Sequence, residues 1–425
     1  MRKVLIISYY WPPAGGPGVQ RWLKFVKYLP EFEIHPVIYI PENPKYPIMD
    51  SSLTKEIPEN VTIYKSKIFE PYFYAGFLSK KKTKQISSGV ISDDNPSLLE
   101  KILLWIRGNM FIPDARKYWV KPSVRFLTDI IKKEQIDTVI TTGPPHSLHL
   151  IGLELKKNLD IKWLADFRDP WTSIGYHSKL RLTKASVRKH RLLEKEVANG
   201  CDKLLVTSST TKVEFETITT NPVYVITNGY DIQESELPFS ALDKKFTLSH
   251  IGSLLTGRNP ENLWKVLSEI ISENDAFRNV FQLNLIGVVG QDVLNCIDDN
   301  GLKFYTSIKK YVTHEEAVNY QRSSQLLLLA EIDSPLTRGI IPGKLFEYLA
   351  AKRPILAIGP EHWEGGEIVK KTNSGIVCNH NSVSDLKAVI LKWFHLYQQG
   401  NLMVSSVNIK EYNRRTLTAK LAELL

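Results

Sequence analysis

The sequence predicts an α/β protein built from two doubly wound domains. Three observations carry this reading. The chain has 425 residues, more than one hydrophobic core normally supports. Short apolar, β-rich runs alternate with helix-period stretches, first in one series and then in a second. A polar stretch from Gln233 to Lys245 separates the two series. Strands buried on both faces and joined through helices form parallel sheets.

In the first series, Val4–Tyr9 reads as a strand, and Val19–Leu29 as a helix with Trp22, Phe25, Val26 and Leu29 on one face. Further strands are expected at Pro36–Ile40, Thr138–Thr142, Lys162–Phe167, Lys203–Ser208 and Val223–Thr227. Helices are expected at Lys121–Lys133, Ser147–Lys157 and Ser186–Asn199. Residues 41–118, rich in Pro, Lys and aromatics, break the rhythm and read as an insertion contributing to an acceptor site. In the second series, strands fall at Phe246–Ile251, Phe281–Val288, Gln325–Ala330, Pro354–Ile358 and Gly375–Cys378. Helices fall at Pro260–Ile271, His314–Arg322, Gly343–Ala351 and Val383–Tyr397. The domains are therefore set at 1–232 and 246–406. Residues 407–425 form a terminal helix with no strand after it, which crosses back to the first domain.

Composition narrows the class. Charged residues make up 24% and hydrophobic residues 43%, an ordinary globular balance. The net charge of +10 and pI near 9.2 favour anionic partners. The run Lys80, Lys81, Lys82 and Lys84 contributes locally and suits a solvated loop. Cys201, Cys296 and Cys378 lack Cys-x-x-Cys spacing, which argues against a disulfide framework or zinc site and for a reducing cytosol. The opening Met1-Arg-Lys-Val-Leu-Ile-Ile-Ser reads as a buried strand and not a signal peptide, because Ser8 interrupts it and Trp11-Pro12-Pro13 ends it. No run approaches the ~20 apolar residues of a membrane span. A soluble or peripheral protein is expected.

Ligands of open parallel sheets bind beyond the carboxyl ends of the strands, so the residues delivered there matter most. After the first strand, Gly15, Gly16 and Gly18 allow close backbone approach at a helix N-terminus, and Arg21 adds a cation one turn in. The spacing matches neither a dinucleotide fingerprint nor a P-loop. His146 opens the helix after Thr141-Thr-Gly-Pro-Pro. Asp166, Arg168 and Asp169 crowd charge at another strand end, either bracing the loop or binding hydroxyls. In the second series, Gly252, Ser253 and Gly257 lead to Arg258 at a helix entrance, the outline of a diphosphate clamp. Lys344 and Glu347, three apart behind Pro342 and Gly343, share one helix face: the first can reach a phosphate and the second a ribose diol. An intrahelical Lys–Glu pair is the plainer alternative.

Together these segments resemble the family-four retaining glycosyltransferases of the GT-B fold. The resemblance rests on the glycine loop Gly15–Gly18, the turn Asn228-Gly-Tyr-Asp231, Gly252 with Arg258, and Lys344-Leu-Phe-Glu-Tyr-Leu-Ala350. It runs through nearly the whole chain and is weakest over 41–118. It implies two Rossmann-like domains facing across a cleft, with a nucleotide diphosphate sugar held mainly by the second. Arg258 matches the family's donor-phosphate lysine, Glu347 its ribose-binding glutamate, and Gly16 lies near the diphosphate. No cofactor or metal is implied, since basic side chains and helix ends neutralise the leaving group. Two positions depart from the family pattern. Ser253 stands where the family has a phosphate-binding arginine, and Gly339 where it has the first glutamate of its Glu-x7-Glu motif.

The expected reaction is retaining transfer to a glycan or lipid-linked acceptor in surface polysaccharide synthesis. The acceptor attacks on the face the nucleotide leaves, and Asp166, Asp169 or His146 orients sugar or acceptor. The expected location is cytoplasmic, at the inner face of the membrane, with Tyr72, Phe73, Tyr74 and Phe77 and the basic surface touching anionic lipid. The competing readings are a nucleotide-sugar epimerase and a non-catalytic sugar-nucleotide-binding homologue. No nucleic-acid partner is expected, because no interleaved basic and aromatic strand surface is present.

Overall fold

The computed structural model describes residues 1–71, 98–173, 177, 180–231, 241–310 and 312–425. The lysine run at 80–84, the aromatics at 72–77 and most of the 233–245 stretch lie outside them. The chain separates into two compact units, Met1–Thr227 with Leu417–Leu425, and Asn228–Thr416.

The first unit contains β1 (Arg2–Ile7), α1 (Pro17–Tyr28), β2 (Ile34–Pro41), β3 (Thr62–Ser66), α2 (Leu98–Met110), α3 (Lys117–Glu134), β4 (Thr138–Gly143), α4 (Ser147–Asn158), β5 (Lys162–Phe167), α5 (Lys184–Gly200), β6 (Lys203–Val206), α6 (Ser209–Glu216) and β7 (Val223–Val225). Its sheet is parallel throughout, in the order β3-β2-β1-β4-β5-β6-β7. The order reverses at β1 and β4, so their carboxyl ends flank the switch point where such sheets bind ligands. Alternation along the strands feeds two cores. Leu5 and Ile7 of β1 join Val139, Phe167 and the α3–α5 side chains Leu127, Ile151 and Val197 on one face. Val4 and Ile6 join Ile140, Leu205 and the α1 side chains Trp22, Leu23 and Val26 on the other.

The second unit contains β8 (Phe246–Ile251), α7 (Glu261–Glu273), α8 (Asp275–Val280), β9 (Phe281–Ile286), α9 (Gln291–Asp299), β10 (Thr306–Lys309), α10 (His314–Ser323), β11 (Leu326–Ala330), α11 (Lys344–Ala351), β12 (Ile355–Gly359), α12 (Glu364–Lys371), β13 (Gly375–Asn379) and α13 (Val383–Gln398). The parallel order is β10-β9-β8-β11-β12-β13, with the switch at β8 and β11. Leu328 and Leu356 pack with α7 and α13 on one face. Leu327, Leu329 and Ala357 pack with α11 on the other.

Three expectations need correction. The interval 41–118 is not wholly an insertion: β3 extends the sheet along β2, pairing from Val37↔Thr62 to Pro41↔Ser66. The second sheet gains an unexpected edge strand, β10, beside β9. Edge strands have one neighbour and tolerate polar residues, which is why Thr-Ile-Tyr-Lys-Ser and Thr-Ser-Ile-Lys do not read as strands. The terminal helix is shorter than 407–425. A turn of 3-10 helix at Ile409–Tyr412 precedes α14 (Arg414–Ala422), and Asn408 ahead of them takes φ 55°. Beyond Thr416 the chain packs in the first unit, where Leu417 and Leu421 are buried with the α1 side chains.

Candidate functional site

At the carboxyl end of β1, Gly16 caps α1 with φ 112°, and Pro17 occupies the first turn, where a missing N–H costs nothing. No atom lies within 4 Å of where a Gly16 Cβ would sit, so this backbone is open. A Cβ on Gly18 would fall 2.1 Å from Nη1 of Arg168. The guanidinium of Arg168 is held there by Nε donating to the Gly143 carbonyl at 3.1 Å and Nη2 donating to the Pro144 carbonyl. The cation against the glycine turn is therefore Arg168, which follows β5.

Arg21 does not play the part expected of it. Both Arg21 and Asp166 are fully buried, and their side chains pair at 3.0 Å. Arg21 also donates to the Thr227 carbonyl at 2.7 Å. The Asp166 carboxylate accepts from Trp22 Nε1 and Thr142 Oγ1, each at 2.8 Å. Neither charge faces a ligand. Asp166 ties α1, β4 and β5 together, and its role as a catalytic carboxylate is withdrawn, as is that of Arg21 as a phosphate ligand. Sequence reasoning read both as ligand-facing because it could not see Trp22 and Thr142 taking up the Asp166 carboxylate.

His146 stands just before α4, buried, with its ring stacked on Trp171 at 5.0 Å and 2°. Burial, then the neighbouring His149, pushes its pKa well below the usual histidine value, so the ring is neutral. Neither ring nitrogen has a hydrogen-bond partner among the described residues. His146 thus keeps hydrogen-bonding capacity in reserve, whereas His149 is engaged by Thr141 at 2.8 Å. Asp169, two residues beyond β5, is exposed. A cavity of about 350 Å³ on this unit is lined by Pro170, Thr172, Glu194 and Phe215, among others, and by none of the expected site residues.

The second unit gathers a tighter constellation. The Gly252 N–H donates to the Ile286 carbonyl at 2.7 Å, carrying the ladder one residue past β8. Gly252 has φ 111°, and a Cβ there would lie 2.9 Å from Nζ of Lys344. Lys344, at the start of α11, reaches back over this loop. Its Nζ is 2.9 Å from His250 Nε2 and 3.5 Å from the Ser253 carbonyl. Burial, then the positive charge of Arg258, brings its pKa down to about 8, with Glu347 and Glu331 opposing. Arg258 forks onto Glu331, Nε to Oε1 at 2.9 Å and Nη2 to Oε2 at 3.2 Å. Glu331 is fully buried, while the Arg258 side chain remains 31% exposed. One turn into α11, Glu347 accepts from Gln321 Nε2 at 2.7 Å.

Gly252, Ser253, Arg258 and Lys344 are thus brought together at the ends of β8 and β11, with Glu347 beside them. Two members were missed in the sequence, His250 and Glu331. The second carried a signal: it is the first residue after the apolar run Leu326–Ala330, where a side chain leaves the sheet. Among the described residues no group of three His, Cys, Asp or Glu side chains is arranged to hold a metal.

Residues 88–234 match the profile of Glycosyltransferase Family 4. The whole chain superposes on solved structures of this architecture. A glycosyltransferase from Rickettsia africae matches at 13% identity, covering 100% of this chain and 97% of its own, with TM-score 0.60. The chain has the GT-B fold, and its likeness to family four lies in residues 88–234. WaaG, a glycosyltransferase involved in lipopolysaccharide biosynthesis, matches at 14% identity with 99% of both chains covered and TM-score 0.55. A UDP-N-acetylglucosamine 2-epimerase from Listeria monocytogenes matches at 11% identity, covering 99% and 94%, with TM-score 0.54. No curated protein matches the sequence. At these identities the structural likeness speaks for the fold, and the site argument rests on the chain's own residues.

Proposed function

We propose that this protein is a glycosyltransferase that takes a sugar from a nucleotide diphosphate donor and delivers it, with retention and without a metal, to a glycan or lipid-linked acceptor. The observation that carries this reading is the convergence of Arg258, Lys344 and Glu347 at the switch point of the second sheet. Two cations beside the Gly252–Ser253 loop suit a diphosphate, and a carboxylate one helical turn away suits a ribose diol. Arg258 is already paired with Glu331, so the donor diphosphate competes for its exposed edge, whereas Lys344 has only neutral acceptors and offers its full charge. As the glycosidic bond breaks, negative charge grows on the leaving diphosphate. Fixed cations placed there stabilise that transition state without reorganising. In a retaining reaction the acceptor hydroxyl attacks on the departing face and passes its proton to a donor phosphate oxygen. His146, neutral and with unclaimed nitrogens, and exposed Asp169 are the acceptor-side candidates of the first unit.

A panel of nucleotide diphosphate sugars tests the donor half: a cognate donor raises the melting temperature by linkage. Release of nucleoside diphosphate only when acceptor is added tests transfer. The fold is shared with a sugar-nucleotide epimerase, so an epimerised donor appearing without any acceptor would overturn transfer in favour of that reading. Surface polysaccharide synthesis at the inner face of the cytoplasmic membrane is the proposed setting, supported by the likeness to WaaG and by the net charge of +10. No helix among the described residues is long and apolar enough to cross a membrane. Release from membranes by high salt is the outcome expected of electrostatic attachment.

A further inference from the structure

We propose that His250 is a positioning residue that aims Lys344 at the donor diphosphate by accepting a hydrogen bond from its ammonium group. This rests on the donor-site reading above and adds to it a residue that touches no substrate. His250, the last residue but one of β8, is enclosed, 1% exposed. Its Nδ1 lies 3.0 Å from the Leu328 carbonyl. Nε2 also lies 3.3 Å from the Ser253 carbonyl, so a carbonyl faces each ring nitrogen. The shorter contact, at Nδ1, takes the single hydrogen of the neutral ring, and Nε2 holds a lone pair. That lone pair faces Nζ of Lys344 at 2.9 Å, and an ammonium only donates. The chain of bonds from Leu328 through His250 to Lys344 has one consistent direction.

The ring does not charge to break this pattern. Burial and the adjacent Lys344 both push its pKa well below the usual range, against the weaker pull of the Ser253 and Leu328 carbonyls. The charged groups facing Lys344 are Arg258 from the loop before α7, Glu331 after β11 and Glu347 on α11 itself. Either carboxylate offers a flexible lysine a stronger partner than a neutral imidazole. Held instead at His250, over a glycine with no Cβ to obstruct it, Nζ sits at the Gly252–Ser253 backbone with hydrogens left to donate. Those hydrogens are what a diphosphate would meet.

Calorimetric binding of UDP, GDP and ADP to the full chain, from pH 6.5 to 9.5, tests the idea. For the nucleotide that wild type binds best, H250F is expected to weaken binding about tenfold at pH 7. H250Q, whose amide oxygen replaces the Nε2 lone pair, is expected to recover most of that loss. Wild-type affinity should fall above about pH 8, as Lys344 loses its proton, and in H250F that limb should flatten or move. Thermal melts of both variants separate lost aim from lost folding, since a merely structural histidine would cost H250Q and H250F alike. H250F binding as tightly as wild type, or H250Q binding as weakly as H250F, overturns the positioning role and leaves the donor site intact. Wild type binding none of the three nucleotides overturns the donor-site reading and this role together.

Discussion

Each unit places an arginine–carboxylate pair at its sheet's switch point, and the two pairs serve opposite ends. Arg21 and Asp166 are both fully buried, with Trp22 and Thr142 completing the carboxylate's partners. Arg258 and Glu331 also pair, but Arg258 stays 31% exposed, and Lys344 stands beside it with no carboxylate bound among the described residues. A sealed pair neutralises itself and holds strands together. An open pair with a surplus cation leaves charge for a ligand. Both pairs join an arginine to a carboxylate near the carboxyl ends of parallel strands; solvent access is what sets them apart.

The largest effect should come from breaking the sealed pair. Asp166→Ala strands a buried guanidinium and removes the acceptor of Trp22 and Thr142. Denaturant unfolding should show a loss of about 3–5 kcal/mol. A change below about 1 kcal/mol would mean that water or another group reaches Arg21, and the contrast between the units would collapse. The open site should respond in activity instead. Lys344→Ala and Arg258→Ala should each lower kcat/KM by about 100-fold, as loss of a transition-state donor does. Lys344→Ala should nearly keep stability, whereas Arg258→Ala also leaves the buried Glu331 unpaired and should lose some. Wild-type turnover in Arg258→Ala would remove the clamp. Glu347→Gln, which keeps shape but loses the carboxylate, should raise the donor KM by about tenfold and leave kcat near wild type.

The acceptor-side reading of the first unit is sharpened by Arg168. Its guanidinium lies where a Gly18 side chain would project. Gly18→Ala should therefore displace Arg168 from the Gly143 and Pro144 carbonyls and disturb the turn leading to His146. Transfer should fall while binding of nucleoside diphosphate alone stays at the wild-type level. Equal loss of both would shift the glycine turn's role to the donor.

What the sequence made legible follows the same division. Central strands announce themselves, as Leu326–Ala330 and Ile355–Gly359 do, because burial on both faces demands continuous apolar residues. Edge strands β3 and β10 stay hidden, since solvent on one side permits lysine and serine. In the site, Lys344 and Glu347 are readable because helix periodicity alone puts them on one face. The partners of Arg21, Arg258 and Lys344 are not readable. Asp166 lies 145 residues from Arg21, Glu331 lies 73 from Arg258 and His250 lies 94 from Lys344. Nothing local in a sequence says which cation a tertiary contact will neutralise.

The subtlest expectation concerns the stability cost of leaving Lys344 open. In the unfolded chain its pKa is near 10.5, and in the folded protein it is about 8, mainly through burial and then Arg258. Between those values the unfolded state binds more protons, so this group's contribution to stability rises with pH across that window. Below about pH 8 the lysine is charged in both states, and its cost to the ligand-free fold is fully present. Lys344→Met removes that charge while keeping the stem's packing. At pH 7 the variant should melt roughly 1–3 °C above wild type, and the difference should shrink as pH climbs from 8 toward 10.5. Nucleoside diphosphate should reverse the order, stabilising wild type and not the variant. If Lys344→Met melts below wild type at pH 7 without ligand, the lysine is a brace like Arg21, and the distinction between the two units fails.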